Sequence, residues 1–191
     1  MATKDQIISL PDDHLYTRSQ RVKIVDNQIQ KVIEDMKSAT LDWEASREHE
    51  VGVALAAIQI DKPYRIVVIR NNFDDKDDHS FSVFINPEVI KQEGQPEEDF
   101  EGCLSVKNIY GKVARHPKVK IKALNEDGKE VRIKVEGFLA RVFQHEIDHT
   151  NGVMFVDHIR DNPEAFYQLT DEGKLVKLNY DDVKAFGIFR D

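Results

Sequence analysis

The chain has 191 residues, 40% hydrophobic and 32% charged, enough apolar material for one packed core and unlike a disordered or fibrous composition. A formal charge of -8 argues against an affinity built on phosphate contacts, so direct nucleic-acid specificity is not expected. No apolar run approaches the roughly 20 residues of a membrane span, the start lacks the pattern of a secretory signal, and the single cysteine, Cys103, excludes an intrachain disulfide. A single domain over residues 1–191 in the cytoplasm is the expectation.

In chain order, Ile29, Val32, Ile33 and Met36 have helical spacing, which predicts a helix from about Asp26 to Thr40 with Asp26 or Asn27 as its cap. The polar run 41–50 predicts a loop, with His49 as solvated surface. A β-branched run over 64–70 predicts a strand, and 81–90 another, in which Asn86-Pro87 should end pairing or force a bulge. Between them lies an acidic, turn-rich loop. The alternating basic pattern over 111–122 suggests a strand with a solvated lysine face. Two alternating runs, 118–125 and 130–137, flank Glu-Asp-Gly and predict a hairpin. From Gly137 to about Asn151 the period becomes helical, with Gly152 where a C-terminal cap belongs. Beyond Val153 a strand or two is expected, and the pattern is too mixed to place them. The class is α+β, with antiparallel or mixed sheets around a central helix.

That helix carries His145-Glu146-x-x-His149. At about 100° per residue, Phe138, Val142, His145 and His149 share one narrow face, while Arg141, Gln144 and Asp148 fall on the side expected to be polar. Imidazoles one turn apart can aim ring nitrogens at a common metal ion. Glu146 projects toward the apolar arc, and a carboxylate there needs a charge or proton to manage, such as that of an activated water. Two histidines need a third ligand if one coordination position is to stay open. Asp157 and His158 lie at unsuitable spacing; Cys103, in Glu101-Gly102-Cys103-Leu104-Ser105, is the better candidate, with Gly102 allowing close backbone approach.

Three motifs, GVALAAIQ at 52–59, EGCLS at 101–105 and QHEIDH at 144–149, resemble peptide deformylase, in its longer bacterial type, over roughly residues 50–160. The resemblance implies Cys103, His145 and His149 as metal ligands, with Fe(II) the typical native ion and Zn, Ni or Co able to substitute. It implies Glu146 as general base and then acid, and Gln59 and the Leu104 N–H as donors to the developing oxyanion. The implied substrate is the N-formyl-methionine end of nascent peptides, with ribosome proximity. Phe138 and Val142 are expected to line a methionine pocket, and Gly52, Val53 and Ala54 to offer backbone edges to an extended peptide. Glu101, Arg115 and Asp148 are expected to orient the ligands. The chain departs from the family pattern at Ala54, usually glycine, and at Thr150, often leucine. A zinc endopeptidase with a different third ligand and a non-catalytic formyl-peptide binder are the competing expectations.

Overall fold

The computed structural model describes residues 1–190. Helix α1, Asn27–Ala45, begins where Asp26 accepts a hydrogen bond from the Ile29 N–H, as expected of a cap. It runs as far as Ala45, half-way into the stretch 41–50 expected to be a loop, and the chain is irregular from Ser46 to Glu50. Trp43 and Glu44 are buried there, and Glu44 escapes the usual cost of a buried carboxylate by pairing with the equally buried Arg70. A charge that looks like loop surface in the sequence is thus a partnered interior residue.

Strands β1 (Ala54–Ala56), β2 (Ile66–Arg70), β3 (Phe81–Glu93), β6 (Lys118–Leu124) and β7 (Glu130–Glu136) form an antiparallel sheet in the order β1-β2-β3-β6-β7. β1 is therefore an edge strand. β3 passes through Asn86-Pro87 with a register shift between Ile85 and Glu88, the expected bulge. A second antiparallel sheet has the order β4-β5-β8-β9: β4 (Glu97–Cys103), β5 (Val106–Arg115), β8 (Phe166–Leu169) and β9 (Leu175–Lys177). The basic run 111–122 is not one strand. It breaks at His116-Pro117, sending β5 to one sheet and β6 to the other.

Helix α2, Gly137–Thr150, sets its apolar residues Ala140, Phe143 and Ile147 against Val67, Ile69 and Ile121 of the larger sheet. Its other side is not solvated as the wheel suggested: Arg141 and Gln144 are both buried. Gln144 exchanges hydrogen bonds with the His116 backbone, accepting at 3.2 Å and donating at 2.9 Å, and so ties α2 to the break between the sheets. Short helices α3 (Phe155–His158) and α4 (Tyr180–Ala185) pack with β5 and β8 around Phe166.

Gly152 ends α2 with φ +75°, and a Cβ there would lie 2.3 Å from the Tyr16 carbonyl oxygen. Left-handed backbone and backbone contact both require glycine. Gly152→Ala is expected to lower stability by about 1–3 kcal/mol, read as a lower urea midpoint; an unchanged midpoint would contradict this close approach.

Candidate metal centre

Cys103 is the last residue of β4, and Leu104-Ser105 form the tight turn into β5, with Cys103 opposite Val106. The hairpin tip carries the thiol to the His145 and His149 face of α2. Cys103 Sγ lies 3.3 Å from His149 Nε2, which lies 3.1 Å from His145 Nε2. All three ligand atoms fall within 4.8 Å of one another. Two nitrogens bonded at about 2.0–2.1 Å to one tetrahedral ion would lie roughly 3.3 Å apart, so the donor set fits a single divalent ion. Asp157 and His158 lie outside the cluster: Asp157 accepts from the Met154 N–H at 2.7 Å, and His158 pairs with Asp148 at 2.7 Å. That removes the geometric basis for a different third ligand among these two.

A charged network fixes the imidazoles. Glu101, almost fully buried, accepts from Arg115 Nε at 2.9 Å and Nη2 at 3.1 Å, and from Arg141 Nη1 at 2.8 Å. His145 Nδ1 lies 2.9 Å from Glu101 Oε2. An ionised carboxylate only accepts, so His145 donates from Nδ1 and turns Nε2 toward the sulfur and His149. Arg115 also bonds Asp148. Burial opposes ionisation of Glu101, but the bonds from His145 and Arg115 outweigh it and hold its carboxyl well below the usual range. Burial works against a charged His145 as well, yet Cys103 and Glu101 raise its pKa well above the ordinary value. Burial, reinforced by the His145 charge, pushes His149 well below it, which leaves that imidazole neutral.

Glu146 is 5% exposed, and its Oε2 has no hydrogen-bond partner among the described residues. Burial raises its pKa to about 7, near the value that suits a proton carrier at neutral pH. Gln59 is buried beside the thiol: Nε2 donates to Cys103 Sγ at 3.4 Å and to Ser105 Oγ at 3.1 Å, while Oε1 accepts from the Ala56 N–H at 2.9 Å. Its carbonyl is thereby fixed and its amide directed at the centre.

A cleft of about 200 Å³ opens beside these groups. Val53, Ala54, Gly102, Leu104 and Val142 line it together with Gln59, Cys103, His145 and Glu146. Phe138 lines the cleft as well, half exposed at its rim and edge-to-face with Phe73 at 5.3 Å. Gly52 does not present its backbone to the cleft. Its N–H donates to Glu44 Oε2 at 2.8 Å, and a Cβ there would meet the Thr40 side chain at 2.8 Å, so its lack of a side chain serves packing on α1. Arg141, Tyr110 and Trp43 line the cleft without having been picked out in the sequence. The signal for Arg141 was available: on a helical wheel it stands only about 40° from His145. Tyr110, bonded to Glu50 at 2.9 Å, and Trp43 carry no such local signal, because the fold alone brings them to the site.

Among the described residues no helix is long and apolar enough to cross a membrane. The sequence profile of the polypeptide deformylase family matches residues 4–164. The chain is 40% identical over 152 residues to peptide deformylase 2 of Clostridium acetobutylicum, spanning 80% of this chain and 93% of that protein. It is 44% identical over 155 residues to the peptide deformylase of Psychrobacter cryohalolentis, spanning 80% and 78% of the two. The crystal structure of the Legionella pneumophila peptide deformylase superposes with a TM-score of 0.72 at 34% identity, covering 100% of both chains. That of the Synechococcus elongatus enzyme in complex with actinonin gives 0.72 at 32% identity, covering 80% of this chain and 78% of the other. By its sequence and its fold, the chain belongs to the polypeptide deformylase family, metal-dependent hydrolases that remove the N-formyl group from nascent peptides.

Proposed function

We propose that the chain acts as a single catalytic domain that hydrolyses the formyl amide of N-formyl-methionine peptides at the Cys103, His145 and His149 centre. The convergence of one sulfur and two imidazole nitrogens beside an unpartnered buried carboxylate carries this reading. Those three residues would hold a divalent ion, which would supply the Lewis acidity that makes water nucleophilic near neutral pH and polarises a carbonyl oxygen. Glu146 takes the proton from the attacking water and returns it to the leaving amine. The Gln59 amide and the Leu104 N–H donate to the oxygen on which negative charge develops, each such donor being worth about 2.7–4 kcal/mol. Glu101 holds His145 in the tautomer that offers Nε2, with Arg115 and Asp148 behind it.

Specificity rests on two features. Val142 and its apolar neighbours offer the methionine side chain a site where burial contributes about 1.5–3 kcal/mol. The edge strand β1 offers Ala54, with Val53 just before it, as a backbone ladder for an extended peptide, which would tolerate many downstream sequences. Substrates are nascent chains close to the ribosome in the cytoplasm, recognised without direct nucleic-acid specificity.

Protein purified without oxygen is expected to carry one transition metal per chain and to release formate from a formyl-methionyl peptide, and Cys103→Ala to lose both. Failure to take up metal under reducing conditions would overturn the reading. Fe(II) is the proposed native ion. Because Fe(II) can be oxidised and zinc cannot, exposure to air is expected to inactivate the iron form while a zinc-reconstituted sample keeps its activity. Equal loss in both forms would argue against iron as the oxygen-sensitive element.

A further inference from the structure

The segment before α1 is fixed to the start of β2 by its backbone. Gln20 N donates to the Pro63 carbonyl at 2.8 Å, and Arg65 N donates to the Gln20 carbonyl at 2.9 Å. Ser19 N donates to the Thr150 carbonyl at 3.0 Å, so the segment is held to the end of α2 as well. Arg18, Ser19 and Arg21 thereby meet Arg65 and Glu88 around a second cleft of about 270 Å³. It shares no lining residue with the cleft at the metal centre.

The charges in this cleft run against those of the molecule. Three guanidinium groups face one carboxylate in a chain of net charge -8. Glu88 pairs with Arg21 and offsets one of them, and Arg18 has no ion-pair partner among the described residues. Arg65 is 7% exposed and Ser19 5% exposed. Arg65 uses its two terminal nitrogens on Asn151 and on the Pro87 and Thr150 carbonyls. Its Nε and the Ser19 hydroxyl, both buried, have no hydrogen-bond partner among the described residues. Buried donors without partners are costly, and two of them at one positively charged cleft indicate a ligand that accepts hydrogen bonds and carries negative charge. Burial also lowers the Arg65 pKa; Glu88 opposes this, and Arg18 and Arg21 push it further down.

We propose that this cleft is an anion site for a phosphate group, inorganic phosphate or a phosphomonoester, bound by Arg18, Arg21 and Arg65 with the Ser19 hydroxyl. A dianion matches the two positive charges left after Glu88 is counted, and guanidinium groups favour oxyanions that accept from two nitrogens at once. The cleft abuts the Thr150 end of the helix bearing His145 and His149, yet its occupant would be remote from the reacting formyl group.

Calorimetric titration of the metal-loaded chain with inorganic phosphate, and separately with phenyl phosphate, at fixed ionic strength tests this. One saturable site is expected for at least one of the two, and whichever binds identifies the source of the group. Arg18→Ala removes an exposed side chain without a protein partner, so the fold and formyl-peptide hydrolysis measured without phosphate should be unchanged. Its affinity should fall about tenfold or more, the loss of one charge-assisted hydrogen bond, and Ser19→Ala should also weaken binding. No saturable binding of either compound at millimolar concentration would overturn the proposal. So would binding undiminished in both variants, which would instead place the phosphate at the metal centre.

Discussion

Glu146→Gln is expected to keep its metal and to lose formyl-peptide hydrolysis by about 10²–10⁴-fold, the usual contribution of a positioned proton carrier. The substitution preserves shape and removes only the ability to take a proton. None of the three ligand atoms belongs to Glu146, so the metal-to-protein ratio should match that of the unaltered chain. Stability should hold or rise, because the native carboxylate is buried with one oxygen unpartnered. The pH dependence gives a second readout. Burial raises the Glu146 pKa from 4.5 to about 7, so between those values the folded metal-free chain binds more protons than the unfolded one. Its stability through this group is greatest at low pH and is lost as pH rises through the window. The difference between the two metal-free proteins isolates that contribution from those of the neighbouring histidines. The Gln variant should gain relative stability as pH climbs from about 5 to 7. Turnover within tenfold of the original would rule out Glu146 as the proton carrier, whatever the stability data show.

The parts of this molecule that were legible in its sequence are those written in local spacing. His145 and His149 are one helical turn apart, so their convergence follows from helix geometry once α2 is recognised. The β6–β7 hairpin is declared by its alternation and its Glu-Asp-Gly turn, and the bulge by Asn86-Pro87. What escaped depends on partners distant in the chain. Glu44 looks like loop surface until Arg70, 26 positions later, neutralises it. Arg141 looks like the solvated side of a helix until the β4–β5 hairpin brings Glu101 against it. Gly52 looks like backbone offered to a ligand until α1 is seen to claim its N–H. The three-residue strand β9 has no pattern of its own and exists through its pairing with β8. The short-range code therefore brings the two histidines together, and says little of the charged interior packed around them.

That charged interior supports the second large effect. Glu101→Ala is expected to cost about 3–5 kcal/mol of stability, because it strands the buried Arg141 without a counter-charge and leaves the buried Arg115 with Asp148 alone. Arg115 and Arg141 would both lose a carboxylate that lies within 3 Å of each, and neither is sufficiently exposed to recover water in its place. The metal centre should suffer separately. Without an acceptor at Nδ1 the His145 ring loses both tautomer and orientation, and loss of such a partner typically weakens metal binding by 10–100-fold. The two consequences can be pulled apart by adding Arg141→Met. Removing one stranded cation should recover part of the lost stability, since a methionine packs where the guanidinium was left unpaired. It cannot restore the acceptor for His145. Urea unfolding of the metal-free proteins and metal affinity measured against a competing chelator would therefore diverge in the double variant. If metal affinity recovers together with stability, Glu101 acts on the centre only by holding the fold together. If stability alone recovers, its carboxylate sets the direction of the imidazole, and the ligand geometry is built from the hairpin outward as much as from the helix.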